Sequence, residues 1–170
     1  MNQINIQYYK TKIGELILGS SDGKLCLLDF RRRKMRGKVD KRIKDVLGAE
    51  FIEKSDDILE ETKRQIDEYL TEKRKEFDIK ILMTGTDFQK IVWRALAKVG
   101  YGKTASYLDL ARKIGREKSV RAVANATGAN PIALIIPCHR IIGSDGALTG
   151  YSGGLLIKRR LLKLEKEILI

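Results

Sequence analysis

Ser106-Tyr-Leu-Asp-Leu-Ala-Arg-Lys-Ile-Gly-Arg-Glu-Lys-Ser-Val-Arg-Ala-Val-Ala-Asn-Ala-Thr-Gly128 holds two short helical patterns separated by one turn. Ser106 and Asp109 have capping-box spacing, which opens a helix that closes at Ile114-Gly115. The turn Arg116-Glu117-Lys118 leads to Ser119, which reads as the cap of a second helix stopped by Gly128 and Pro131. Two short helices joined through a glycine-containing turn make a helix-turn-helix. The second helix is unusual for a reader of major-groove edges. Ala122, Ala124, Ala126 and Gly128 are small, and mainly Arg121 and Asn125 project polar groups. Small residues let a helix backbone come close to another surface. That surface is either protein core or the narrow minor groove, where one arginine can wedge between bases.

Working outward, Thr86-x-x-Gln89 is another capping box, opening a helix through Val99 with Phe88, Val92, Trp93 and Leu96 on its core side. Trp93 reads as packing rather than as a stacking platform for a base. The N-terminal third reads as a β-meander: Ile4–Tyr9, Glu15–Gly19 and Lys24–Phe30, with Ser21-Asp22-Gly23 as the turn before the third strand. Cys26 lies in that strand as a small core hydrophobe. Arg31–Lys44 is intensely basic, a loop or solvated helix, with a DNA-backbone contact as the lesser alternative. Ser55 can cap a helix to about Lys73, and the alternation through Phe77, Ile79, Ile81 and Met83 suggests a further strand. Gly85 then breaks the pattern, dividing the chain into an N-terminal α/β domain (1–84) and a mainly helical C-terminal domain (85–170). The fold class is α+β.

The chain has 170 residues and a net charge of +12, enough length for a sizeable core. The charge is uneven: residues 1–80 carry a net of +3 and residues 81–170 a net of +9. An excess of cations in one half suits a surface facing a polyanion, although a generally basic protein explains it as well. Two distant cysteines in unlike contexts do not make a disulfide framework. No apolar stretch is long enough to span a membrane, and the first 20 residues lack a signal-peptide pattern. A reducing cytoplasm is expected. The high Lys, Glu and Ile content resembles a heat-adapted composition.

Chemistry concentrates at Cys138, which ends the apolar run Pro131-Ile-Ala-Leu-Ile-Ile-Pro137 and precedes His139, the only histidine, and Arg140. The thiolate is the nucleophile, and a neutral imidazole can take the thiol proton. In extended backbone the two side chains would point to opposite faces, so a bridging water is expected unless the chain turns there. Glu165, at the margin of an amphipathic C-terminal helix, is a candidate to orient the ring, or else an ordinary solvated carboxylate. A zinc site is excluded on ligand count, since one histidine and the distant Cys26 do not suffice.

Ile136-Pro-Cys-His-Arg140 followed by Ser144-Asp-Gly-Ala-Leu-Thr-Gly-Tyr-Ser-Gly-Gly154 resembles the active-site signature of O6-alkylguanine-DNA alkyltransferases. Asn130-Pro131, Phe88-Gln…Val-Trp93, Tyr101-Gly-Lys-Thr-Ala-Ser-Tyr107 and Arg121-Ala-Val fall in the same order and spacing, and the likeness spans about residues 84–165. The resemblance implies a ribonuclease-H-like first domain and a winged helix-turn-helix second domain holding the site. It implies that Cys138 accepts an alkyl group from O6 of a flipped guanine, once and irreversibly, with His139 as base through water and Glu165 orienting it. By the same likeness Tyr107 donates a proton to N3 of the leaving base, and Asn130 braces the turn. Arg121 fills the hole left by the flipped nucleotide, with Ala122, Asn125, Ala126 and Tyr107 also on the DNA face. Ile141, Tyr151, Ser152 and Trp93 are placed around the base, with the carbonyls of Cys138 and Ile141 accepting from its exocyclic amine. The implied partner is double-stranded DNA carrying alkylated bases, O4-methylthymine among the candidates. No cofactor, metal or membrane is implied, and a monomer is expected. The zinc site of some members has no histidines to form it here.

Extruding a base costs a few kcal/mol, which phosphate contacts and a wedge can offset. Three rivals remain. A regulator could sense alkylation or oxidation through Cys138 without repair. A silent lesion-binding relative is disfavoured by the cysteine itself. A Cys-His hydrolase is disfavoured by the adjacency of the two residues.

Overall fold

The computed structural model describes residues 2–166 and divides into two compact units, Met1–Gly85 and Thr86–Ile170. In the first unit β1 (Asn2–Thr11), β2 (Gly14–Ser21) and β3 (Lys24–Phe30) form an antiparallel meander. The hairpin between β2 and β3 turns at Asp22 and Gly23, both at positive φ (53° and 74°), the conformation that matches the twist of the flanking strands. Helix α1 (Arg36–Leu47) crosses over to β4 (Ala49–Glu53), which pairs parallel to β1, giving the sheet order β3-β2-β1-β4. Ile4, Ile6, Ile17, Leu27, Val39 and Ile43 make the core between sheet and helix. Cys26 lies inside it, fully buried, and burial pushes its thiol pKa up to about 12. That sulfur is chemically quiet.

Several local expectations change in this unit. The basic stretch 31–44 contributes most of α1 because Val39 and Ile43 bury one face. The buried carboxylate of Asp29 fixes its start, pairing with Arg33 at 3.0 Å and Arg36 at 3.2 Å. Helix α2 (Asp57–Leu70) is capped by Asp56, not Ser55, since it is the Asp56 carboxylate that accepts from the Leu59 N–H at 2.9 Å. Residues 77–83 do not form a strand. Leu25 of β3 bonds to Lys80 and Leu82 through backbone only around Ile81. At Asp78 the side-chain amide of Gln65 takes both backbone groups, so no neighbouring strand is needed there.

The second unit begins with α3 (Asp87–Ala97), opened by the Thr86/Gln89 capping box. A two-residue strand β5 (Ala105–Ser106) leads into α4 (Tyr107–Lys113), opened by the Ser106/Asp109 capping box. Gly115, at φ 71°, turns the chain after α4. Helix α5 (Val120–Gly128) follows, packed against α3 and α4. Ser119 makes no side-chain cap; a 3-10 turn, Glu117–Ser119, runs directly into α5 and leaves no extended N-cap residue to accept a hydrogen bond. Strand β6 (Ile141–Ile142) pairs parallel with β5, setting Ser106 opposite Ile142. The wing, Gly143–Gly154, is a glycine-rich loop of turns, and α6 (Leu155–Lys166) closes the described chain.

Candidate active site

The segment before Cys138 is buried almost throughout and is held by one side chain. Asn130 donates from Nδ2 to the Ile136 carbonyl at 2.8 Å and accepts at Oδ1 from the Ile132 N–H at 2.9 Å. Between those contacts Leu134 adopts φ 69°, a left-handed conformation unusual for a leucine. Cys138–Arg140 is a 3-10 turn, not extended backbone, so the three side chains fan out about 120° apart. Cys138 is 8% exposed, while His139 is fully buried. The Ile141 N–H bonds to the Cys138 carbonyl, which leaves that oxygen one further lone pair.

Glu165 of α6 is buried, not solvated, and meets both neighbours of the cysteine. Its Oε2 lies 2.7 Å from His139 Nε2. Arg140 grips it with two parallel bonds, Nε to Oε1 at 2.8 Å and Nη2 to Oε2 at 2.9 Å, while Nη1 donates to the Val99 carbonyl at 2.6 Å. A carboxylate held by a guanidinium stays ionised and has no proton to give, so the His139 Nε2 must be the donor. A neutral ring then carries its lone pair on Nδ1, which is buried with no hydrogen-bond partner among the described residues. Burial pushes the His139 pKa below its ordinary value, with Glu165 pulling the other way. The ring is therefore neutral at physiological pH, with an available base aimed away from Glu165.

The glycine-rich loop completes the surroundings. Tyr151 stands edge-on to the His139 ring, centroids 6.4 Å apart, and Tyr151 and Ser152 are half-buried. The Tyr107 hydroxyl, at the start of α4, lies 3.4 Å from the Thr149 carbonyl. Lys158 of α6, fully buried, donates from Nζ to the carbonyls of Thr149 at 2.7 Å and Gly150 at 3.2 Å. Ile141 has its side chain in the core of this unit.

Two residues placed at a binding surface lie elsewhere. Trp93 is fully buried and donates from Nε1 to the Ala126 carbonyl at 2.8 Å, so it joins α3 to α5 and lines no base pocket. Ala126 itself is buried with Val123 and Thr127, on the inner face of α5. The outer face carries Arg121, Ala122, Asn125 and Gly128, all exposed. Thus the small residues of α5 divide between a buried inner face and an exposed outer one.

Arg140 and Lys158 received no role from sequence alone. Arg140 stands inside the Pro-Cys-His-Arg run, so its position was visible though its partner was not. Lys158, Leu161 and Glu165 recur at helical spacing on the buried face of α6, and only the interruption of that apolar stripe by two charges hints at a polar environment. Among the described residues no group of three or more His, Cys, Asp or Glu could hold a metal ion, and no helix is long and apolar enough to cross a membrane.

Residues 4–83 match the family described as 6-O-methylguanine DNA methyltransferase, ribonuclease-like domain, and residues 87–167 the DNA binding domain of the same family. A methylated-DNA–protein-cysteine methyltransferase of Methanosarcina barkeri is 46% identical over 158 residues, covering 93% of this chain and 94% of that one. The crystal structure of Mycobacterium tuberculosis O6-methylguanine methyltransferase superposes with a TM-score of 0.81 at 35% identity, covering 96% of this chain and 93% of that one. The M. tuberculosis protein in complex with DNA gives the same TM-score, 0.81, at 35% identity, covering 97% and 93% of the two chains.

Proposed function

The chain belongs to the O6-alkylguanine-DNA alkyltransferase family, and from that premise we propose that it repairs DNA by moving the alkyl group of O6-alkylguanine onto its own Cys138. The observation that carries the assignment to Cys138 is the buried His139–Glu165–Arg140 network attached to the same 3-10 turn. Alkyl transfer to a protein cysteine is the activity of the family.

Each side chain has a defined task in this reading. The Cys138 proton passes through a water to Nδ1 of His139, and Glu165 stabilises the imidazolium through Nε2–H. The thiolate attacks the alkyl carbon in line with the bond to O6. A carbon–sulfur bond forms as the carbon–oxygen bond breaks, and the electron pair goes to the purine. Tyr107 protonates N3 of the departing base, and the Ser152 N–H lies toward O6. The thiol gives one proton to His139 and guanine takes one from Tyr107, and proton exchange through solvent returns the imidazolium and the phenolate to their neutral forms, so the sum is one proton moved from thiol to guanine. A thioether has no ready leaving path, so each chain acts once. The target atom is inaccessible inside a duplex, so the nucleotide is flipped through the minor groove onto the outer face of α5, with Arg121 filling its place and Ala122 and Asn125 allowing close approach. O4-methylthymine offers the same electrophilic carbon and is proposed as a second substrate. A cytoplasmic monomer, nucleoid-associated when bound to DNA and needing no cofactor, fits these demands.

The test incubates the chain with duplexes carrying O6-methylguanine or O4-methylthymine and weighs protein and DNA. One methyl group per chain on Cys138, with restored guanine, is expected. Unmodified Cys138 beside unchanged lesion DNA would overturn repair and favour an alkylation- or redox-sensing regulator instead. Cys138→Ser should abolish transfer and keep duplex affinity.

A further inference from the structure

One face of α6 serves the site, and the stripe beside it does not. Lys158, Leu161 and Glu165 turn inward, whereas Arg159, Leu162, Lys163 and Lys166 recur at i, i+3, i+4 and i+7 along the helix. That stripe forms one wall of a cleft of about 470 Å3. Half-buried Ile142, Leu148 and Leu162 make its apolar part, and exposed Arg159, Lys163 and Lys166 bring three cations. Among the described residues no acidic side chain lines it, and neither Cys138, His139 nor Tyr151 does. Like charges at this spacing repel one another, so the stripe is costly without an anion beside it. We propose that the cleft binds a small amphipathic anion, an aliphatic chain of medium length ending in a carboxylate. The chain lies against Ile142, Leu148 and Leu162, and the carboxylate meets Arg159 and the two lysines.

Three features select this class of ligand. The volume falls within the roughly 300–1,000 Å3 of sites that enclose small organic molecules, and a stable protein interface would need about 1,000 Å2 or more of buried surface, beyond a cleft of this size. A nucleobase would find no aromatic ring to stack on and one hydroxyl, Thr104, to pair with. A bare inorganic anion would gain nothing from three aliphatic side chains. What remains is a molecule that offers carbon to the wall and negative charge to the rim. The nearby carboxylates are committed elsewhere. Asp145 accepts from the Ala147 N–H at 3.0 Å within its own turn, Asp109 caps α4, and Glu165 is held by His139 and Arg140. Leu148 precedes Tyr151 by three residues and Lys163 precedes Glu165 by two. An occupant therefore ties the glycine-rich loop to α6 from a side that Cys138 does not line.

Calorimetric titration of the full-length chain with octanoate tests this, beside hexanoate, octanol and acetate. Octanoate should saturate one site. Hexanoate, shorter by two methylenes, should bind about tenfold more weakly. Octanol, which lacks the charge, should bind about fivefold more weakly, and acetate, which lacks the chain, more weakly still. Arg159→Gln together with Lys163→Gln changes only exposed side chains and should weaken octanoate about fivefold. Leu148→Gln keeps every cation, removes part of the apolar wall, and should weaken octanoate about tenfold. Absence of saturable octanoate binding would overturn the proposal. So would octanol binding as tightly as octanoate, since the cations would then do nothing, or acetate binding as tightly, since the apolar wall would. Octanoate displaced by a lesion-free duplex would assign the cations to the phosphate backbone and overturn it as well. If the double variant does not fold, by circular dichroism, Leu148→Gln decides, and parental affinity there overturns the proposal. These titrations contain no alkylated DNA, so their outcome is separate from whether Cys138 accepts a methyl group.

Discussion

Asn130 Nδ2 donates to the carbonyl of Ile136 at 2.8 Å, and this bond closes the buried loop that delivers Cys138. The same amide accepts from the Ile132 N–H. Asn130→Ala therefore strands the buried Ile132 N–H, at about 1–3 kcal/mol, and takes one of two donors from the Ile136 carbonyl, which keeps the Cys138 N–H at 2.8 Å. The loop also holds Leu134 in a strained left-handed conformation, so removing its brace should loosen Cys138 before the unit unfolds. We expect a loss of about 1–3 kcal/mol by urea denaturation, with a transfer rate that falls even in the fraction still folded. A variant as stable as the parent would show that Asn130 braces nothing.

Glu165 offers two oxygens to His139, to two nitrogens of Arg140 and, at 3.5 Å, to the Gly102 N–H, and its replacement by glutamine removes the negative charge that binds His139 and Arg140 together. Arg140 is then a buried guanidinium without a counter-charge, a defect that costs about 3–5 kcal/mol. His139 also loses the group that stabilises its protonated form during transfer, and the rate should drop about 100-fold or more. Single-turnover kinetics on the folded variant would check this, and a rate within twofold of the parent would remove Glu165 from the mechanism.

His139 makes the pH dependence unusually clean because it is the only histidine in the chain. Its folded pKa lies below the ordinary value of 6.5. Between those two values the unfolded chain binds a proton that the folded chain does not. Stability is therefore fully present above pH 6.5 and declines as pH falls below it, by up to about 1.4 kcal/mol per pH unit. Asp56, Glu60, Glu61 and Asp109 have depressed pKa values too, but their losses begin near the carboxylate range, at lower pH. Urea melts at about pH 7.5 and 5.5 isolate the histidine. Equal stability at the two would contradict its burial as a neutral ring.

Much of this architecture was legible because its signals are local. Capping boxes at Thr86/Gln89 and Ser106/Asp109 act within four residues, and the Asp22-Gly23 turn within two. Elements governed by distant partners were not legible. Strand β4 exists because β1 offers it a parallel edge nearly fifty residues away in sequence. Residues 77–83 alternate like a strand, yet Gln65 takes over the backbone of Asp78. At the site, Cys138 and its neighbours were visible as a signature. The turn that separates their side chains was not, nor was the burial of Lys158 on α6 against the carbonyls of Thr149 and Gly150, since neither follows from residue type alone.

Trp93 tests the difference between a structural and a substrate-facing aromatic. Its Nε1 bond to the Ala126 carbonyl, which also accepts from the Ala129 N–H at 3.2 Å, ties α3 to the last turn of α5. Trp93→Phe should cost about 1–2 kcal/mol of stability while leaving lesion affinity and transfer rate of the folded protein unchanged. A slowed transfer at full stability would instead return Trp93 to the base pocket.

Arg121 lies exposed on the outer face of α5, and its removal should leave folding within about 0.5 kcal/mol of the parent. As a wedge, its contribution appears only where a partner base has been left unstacked. Arg121→Ala should therefore slow repair of a paired O6-methylguanine by about tenfold or more, a share of the few kcal/mol that flipping costs. The same lesion in single-stranded DNA has no opposing base to replace and should be repaired at close to the parental rate. A plain phosphate contact would weaken both substrates alike and lower the salt dependence of binding by about one counterion. Equal slowing on the two substrates would thus reassign Arg121 from the base stack to the backbone.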